Sequence, residues 1–161
     1  MKLSALIREP KSVHDYGAWK TGDIDRASWP MKKKKLKQSG DWEWRVITLQ
    51  TIFGTQLRVL LRLNRSIERF YAVLGYCESD TIRVLCSHDL HTTHGNWHCH
   101  ATTGFVGDVF PGVWRDRDSL RRWPSYSGDS TVDFDVDQVS ALKRAADLYR
   151  FNPPRQSEMS V

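Results

Sequence analysis

Five of the six histidines fall within thirteen residues, between His88 and His100, in the run SHDLHTTHGNWHCHATTG that spans residues 87–104. Imidazole titrates near ~6.5, so at neutral pH one histidine can accept a proton while another donates one. Paired histidines of this kind can cleave RNA, because the ribose 2′-hydroxyl attacks the adjacent phosphate and no outside nucleophile is needed. On that reading His98, His100, His91 and His94 carry the catalysis. Arg58, Arg62 or Arg83 would stabilise charge on the phosphate, with Lys33 and Lys34 as further substrate contacts. Neutral imidazoles are also common metal ligands. The corresponding metal set is His88, Asp89 and His91, holding a divalent ion (Zn, Mn or Mg), and no other cofactor is expected. A third reading leaves the histidines as hydrogen-bonding members of a polar loop. Zinc-finger spacing and a His-Glu-x-x-His helix are both missing, so the metal reading has no specific motif behind it.

Strands would position these side chains. If residues 97–103 form one, Trp97, Cys99 and Ala101 face one way and His98, His100 and Thr102 the other. If residues 82–88 form another, His88 continues the face of Ile82, Val84 and Cys86. The connection between them would then carry Asp89, His91 and His94, with Gly95 and Asn96 as its turn. Upstream, Leu57, Val59, Leu61 and Leu63 repeat with period two, the mark of a half-buried strand. Phe70–Cys77 and Thr81–Cys86 read as further strands. Downstream, Asp118–Trp123 reads as a short helix or turn. Residues 135–151 form the clearest helix, with Asp135 as N-cap and Gln138 completing a capping box. Its apolar stripe is Val139, Leu142, Ala146 and Tyr149, and Pro153 and Pro154 stop it. The fold class expected is α+β: an antiparallel meander of four to six strands with a C-terminal helix packed on one face.

Residues 1–40 show little periodicity and contain the lysine run 32–35, with Lys37 close by. They read as a basic N-terminal arm ahead of a single domain over 41–152 and a disordered tail over 153–161. The lysines could contact phosphate, with Trp29, Trp42 and Trp44 as stacking surfaces. A net charge of +5 fits a nucleic-acid partner. Three cysteines without paired spacing argue against a disulfide framework. No apolar run has the length of a membrane span, and a cytoplasmic protein without a membrane partner is expected. The acidic stretch Asp129, Asp133, Asp135 and Asp137 lacks the spacing of a calcium loop. Trp114 through Trp123 mixes arginines with tryptophans and reads either as a base-stacking surface or as a helix packed inward.

Asp89-Leu90-His91, then Gly95, then His98-Cys99-His100 resembles the D-x-H…G-x-x-H-x-H core of small bacterial toxin families of the TumE type. The resemblance covers residues 43–104. It implies a toxin of a toxin–antitoxin pair, with a cognate antitoxin protein as partner and RNA rather than DNA as substrate. Thr92, Thr93 and His94 depart from the acidic and glycine-lysine-glycine context those families place before the histidine pair. His98-Cys99-His100 is also similar to the His-hydrophobic-His signature of replication initiators and relaxases. That resemblance implies a metal-dependent DNA endonuclease, with Tyr149 as the nucleophile. A third possibility is a non-enzymatic inhibitor or adaptor, of phage or antitoxin type, whose basic arm grips its partner. The leading expectation is the toxin-like ribonuclease.

Overall fold

The computed structural model describes residues 1–33, 35–91, 94–101, 104–114, 121–123 and 133–155, with the main chain alone at 94–96 and 121–123. Five long strands form the meander: β5 (Glu43–Thr51), β6 (Gln56–Asn64), β7 (Arg69–Glu78), β8 (Thr81–His91) and β9 (His94–Ala101). Each pairs antiparallel with the next. Short β1 (Lys11–Asp15) and β2 (Lys20–Thr21) both pair with the outer edge of β5, and β10 (Arg121–Trp123) closes the far edge on β9. The C-terminal helix α2 (Gln138–Tyr149) packs on one face of this sheet, so the architecture is α+β. The segment expected as a short helix or turn at 118–123 is strand β10 over its described part.

The sheet has two apolar faces. On the helix face, Leu57, Val59, Leu61 and Leu63 of β6 join Phe70, Ala72 and Leu74 of β7 beneath Ala141, Leu142, Ala145 and Tyr149. On the opposite face, Leu60, Val73, Ile82 and Val84 would meet water unless something covered them. The first forty residues supply that cover. The segment expected as a basic arm instead contains α1 (Leu3–Arg8), β1, β2 and the small hairpin of β3 (Ile24–Asp25) and β4 (Lys35–Leu36). Ile24, Trp29 and Met31 are buried on the opposite face, alongside Trp44. Trp29 and Trp44 are therefore core residues, and only Trp42 of the three proposed stacking tryptophans is partly open. Gly75 makes the contact close: a Cβ there would stand 2.4 Å from Ile82 Cδ1 and 2.8 Å from Trp29 Cη2.

The helix begins two residues later than its spacing implied. Asp137, not Asp135, is the N-cap: its carboxylate accepts from the Ser140 N–H at 2.8 Å, and Ser140 Oγ accepts from the Asp137 N–H at 2.9 Å. Asp135 instead pairs with Arg144 at 3.0 Å. Val139 lies exposed, and Ala141 and Ala145 take its place on the buried stripe. Arg150, in the left-handed region at φ 59°, ends the helix ahead of the two prolines.

Lys11 ties the ends of both helices together. Its Nζ donates to the carbonyls of Ile7 at 3.1 Å, Glu9 at 2.8 Å and Tyr149 at 2.7 Å, where the dipoles of α1 and α2 favour a cation. Burial outweighs that help and lowers its pKa from 10.5 to about 8. The unfolded chain therefore binds more protons than the folded one between these values, so stability rises as pH climbs from about 8 towards 10.5. Partial solvent screening of the ammonium discounts the full shift, so the expected gain is on the order of 1–2 kcal/mol. Urea unfolding of the parent and a Lys11→Met variant across that range checks it. The variant should show a shallower rise, and equal slopes would contradict the assignment.

Candidate functional site

Strand β8 decides which side chains share a face. Leu74 pairs with Cys86 and Gly75 with Val84, which leaves Leu85 as an extra residue in β8. This bulge reverses the alternation. Ile82 and Val84 point away from the helix, while Leu85 and Cys86 both pack on the helix side. His88 therefore does not continue the face of Ile82 and Val84. It lies on the helix side, where its ring meets Tyr149 edge-on at 5.9 Å. The proposed metal set of His88, Asp89 and His91 is thereby corrected: His88 is on the wrong side of the sheet to join the other two.

After the bulge, Ser87, Asp89 and His91 occupy the face away from the helix. Ser87 pairs with His100 and Asp89 with His98, which brings those imidazoles alongside. Asp89 is 1% exposed and His98 is 6% exposed. Asp89 Oδ2 stands 3.7 Å from His98 Nε2 and 3.6 Å from His100 Nε2. Its other oxygen accepts a short hydrogen bond from Ser87 Oγ. The rings of His91 and His98 meet edge-on at 4.7 Å, and those of His98 and His100 at 5.2 Å. One ligand atom from each of Asp89, His91 and His98 lies within 4.8 Å of the others, so this trio could hold a metal ion. His94 pairs with His91 through the main chain. Gly95 and Asn96, expected as the turn, lie inside β9. β9 carries extra residues between His94 and His98, because His91 pairs with His94 where an even register would reach further along.

No family model, curated protein or solved structure matches this chain.

Among the described candidate phosphate ligands, only Arg62 lies in line with the histidines. Trp44, Arg62, Tyr71, Asp89 and His98 are successive partners across β5 to β9 and share one row of one face. The Arg62 guanidinium lies 4.6 Å from the Trp42 ring, 5.6 Å from Tyr71 and 5.3 Å from Trp114, and its Nε donates to Gln38 at 2.7 Å. Burial lowers its pKa, while Tyr71 and Asp89 act in the opposite direction. Arg58 is committed elsewhere, donating to the carbonyls of Ala27 and Ser28 at 2.7 Å each. Arg83 pairs with Glu78 at 2.6 Å and donates to the Val109 carbonyl. These two arginines hold the fold and are not brought to the histidines. Lys33 lies exposed near Arg62 across a shared groove. Lys34, Thr102, Asp129 and residues 115–120 lie outside the described residues.

Behind the row, the buried Cys86, Cys99 and Tyr149 form a polar group with the half-buried His88. The hydrogen bond with Cys86, and then His88, hold the Cys99 thiol below the usual range, while the same bond and burial push Cys86 up. Tyr149 is fully buried and donates to the Ala72 carbonyl at 2.6 Å. Burial raises its pKa well above the ordinary value. It lies across the sheet from His98 and His100, so it cannot attack a substrate held by them. Sequence reasoning missed Ser87 and Tyr71 as members of the site. The signal for Tyr71 was its place on the row that also holds Arg62 and Asp89, legible only once the register is known.

Proposed function

We propose that this protein is a ribonuclease of the toxin-like kind, cutting RNA by acid–base chemistry at His98 and His100. The observation that carries the reading is the buried Asp89 carboxylate facing both imidazoles at 3.6–3.7 Å on one sheet face. One imidazole takes the proton of the 2′-hydroxyl as its oxygen bonds to phosphorus. The other protonates the 5′-oxygen as the P–O bond breaks, leaving a 2′,3′-cyclic phosphate and a free 5′-hydroxyl. Asp89 orients the pair, His91 packs against His98, and Arg62 contributes positive charge along the same row. An antitoxin partner and action in the cytoplasm, where such RNA lies, belong to this reading and rest on the resemblance of the histidine core.

A second reading is favoured by one distance. Asp89 Oδ2 stands 3.7 Å from His98 Nε2, close to the roughly 3.3 Å between ligands of a tetrahedral ion with bonds of ~2.0 Å. Asp89, His91 and His98 would then hold a divalent ion that activates water against phosphorus.

Product chemistry separates the two. Purified protein should convert single-stranded RNA to fragments ending in 2′,3′-cyclic phosphate, leave DNA of the same sequence intact and keep its rate in EDTA. Loss of activity in EDTA with recovery on adding Zn or Mn, and cleavage of DNA, would transfer the function to the metal reading. No cleavage of any nucleic acid, together with no growth arrest on expression, would sink both.

A further inference from the structure

The lysine strand and the arginine row enclose a groove that the histidine chemistry leaves unexplained. Lys33, Lys35, Leu36, Lys37, Arg62 and Trp114 line an open cavity of about 480 Å³. Leu36 packs inward against the cluster of Trp29 and Leu60, which turns its neighbours Lys35 and Lys37 outward. Lys35 is paired with Asp23 at 3.0 Å, so among the described residues Lys33 and Lys37 add exposed positive charge to that of Arg62 along the groove. Aromatic surface interleaves with that charge. Trp42 stacks on Tyr71 at 5.8 Å, Tyr71 meets the His91 ring at 6.3 Å, and His91 meets His98 at 4.7 Å. A chain of ring contacts, the last of them edge-on, therefore runs from the Trp42 ring beside Arg62 to the site. Arg62 and His98 lie three strands apart on one row, roughly 14 Å at ordinary strand spacing, a span of more than one nucleotide.

We propose that this groove binds single-stranded nucleic acid, seating a base against Trp114 and its backbone on Lys33 and Lys37, so that a phosphate further along the chain reaches His98 and His100. The last clause rests on the nuclease reading, whereas the binding does not. Cations and flat rings in alternation match a chain whose bases are unstacked, because a duplex hides the faces of its bases and offers only edges and phosphates. The cavity is of the size that takes one small ligand or nucleotide (~300–1,000 Å³).

The probe is a short fluorescein-labelled oligouridylate, 2′-O-methylated so that it cannot be cut through its 2′-oxygen, read by anisotropy in EDTA against the full chain. Oligothymidylate and an RNA duplex of equal length are the comparisons. Both single strands should bind, and the duplex should bind at least about tenfold more weakly. Lys33→Ala/Lys37→Ala should reduce the slope of log K against log salt by about 1.4, at ~0.7 per lost phosphate contact. Trp114→Ala should weaken binding about tenfold without changing that slope, and Trp114→Phe should restore most of it. A duplex bound as tightly as the single strands, or variants that bind like the parent, would overturn the proposal. If RNA is cut while the groove variants bind normally, the groove is wrong and the nuclease reading stands. If the variants lose single-strand binding and no RNA is ever cut, the groove stands and the nuclease reading fails.

Discussion

A His98→Ala/His100→Ala double variant should cleave RNA at least about a thousandfold more slowly than the parent protein. Each positioned acid or base contributes roughly 10²–10⁴ to rate. Groups that act as one unit are not additive, so each single variant should already show most of the loss. Asp89→Asn should behave alike. It keeps the shape of the carboxylate but removes the charge 3.6–3.7 Å from both imidazoles, and losing a preorganised charge of this kind costs roughly 10²–10³ in rate. These residues are buried, so stability must be read alongside rate. Removing the imidazoles leaves Asp89 facing an apolar gap, at a cost of about 1–3 kcal/mol. A His98→Gln/His100→Gln variant refills that space with polar groups and keeps the test informative if the alanine protein is unstable. Rates are followed by gel on labelled RNA, and folding by circular dichroism. A folded double variant that cuts RNA at the parental rate would remove the histidines from the mechanism.

Much of the fold was legible because its cause is local. Period-two apolar runs gave the meander strands, and the Trp97–Ala101 alternation correctly implied that His98 and His100 share a face opposite Cys99. What escaped is non-local. The first forty residues lack periodicity because they form short pieces that lie over a sheet face. Their order comes from burying Ile24, Trp29 and Met31 against β6 to β8. The apolar Leu60, between Arg58 and Arg62 on its strand face, was the available hint that the second face needed a cover. The composition of the site was misjudged for one reason. Alternation assigns His88 to the face of Val84 only if β8 is regular, and nothing in the run Val84-Leu85-Cys86 announces an extra residue. Likewise, Arg58 and Arg83 look equivalent to Arg62 along the strands. Only the tertiary partners, carbonyls for the first two and aromatic rings for the third, tell them apart.

Deleting Leu85 should abolish the folded protein, whereas Leu85→Ala should only weaken it. The hairpin before the bulge fixes Ile82 and Val84 by pairing with Cys77 and Gly75, and β9 fixes Ser87 and Asp89 by pairing with His100 and His98. Without the extra residue the two halves of β8 cannot both keep their faces, because a one-residue slip turns every side chain over. If the second half turns, Asp89 takes the place of Leu90 beside Leu63 and Phe70 beneath the helix. An unpaired carboxylate there costs several kcal/mol even after relaxation. If the first half turns, Ile82 and Val84 leave Trp29 and Met31, and Arg83 takes their place in the core. Either outcome consumes most of a typical ~5–15 kcal/mol of stability. Leu85→Ala keeps the phase and loses about 2–5 kcal/mol. At roughly 2–4 °C per kcal/mol for a chain of this size, its unfolding temperature should fall by about 4–20 °C, with RNA cleavage retained below it. Solubility, thermal unfolding and cleavage of the two variants side by side check the argument. A deletion variant that unfolds cooperatively within a few degrees of the parent, with activity intact, would show that the bulge does not set the face on which Asp89 meets the histidines.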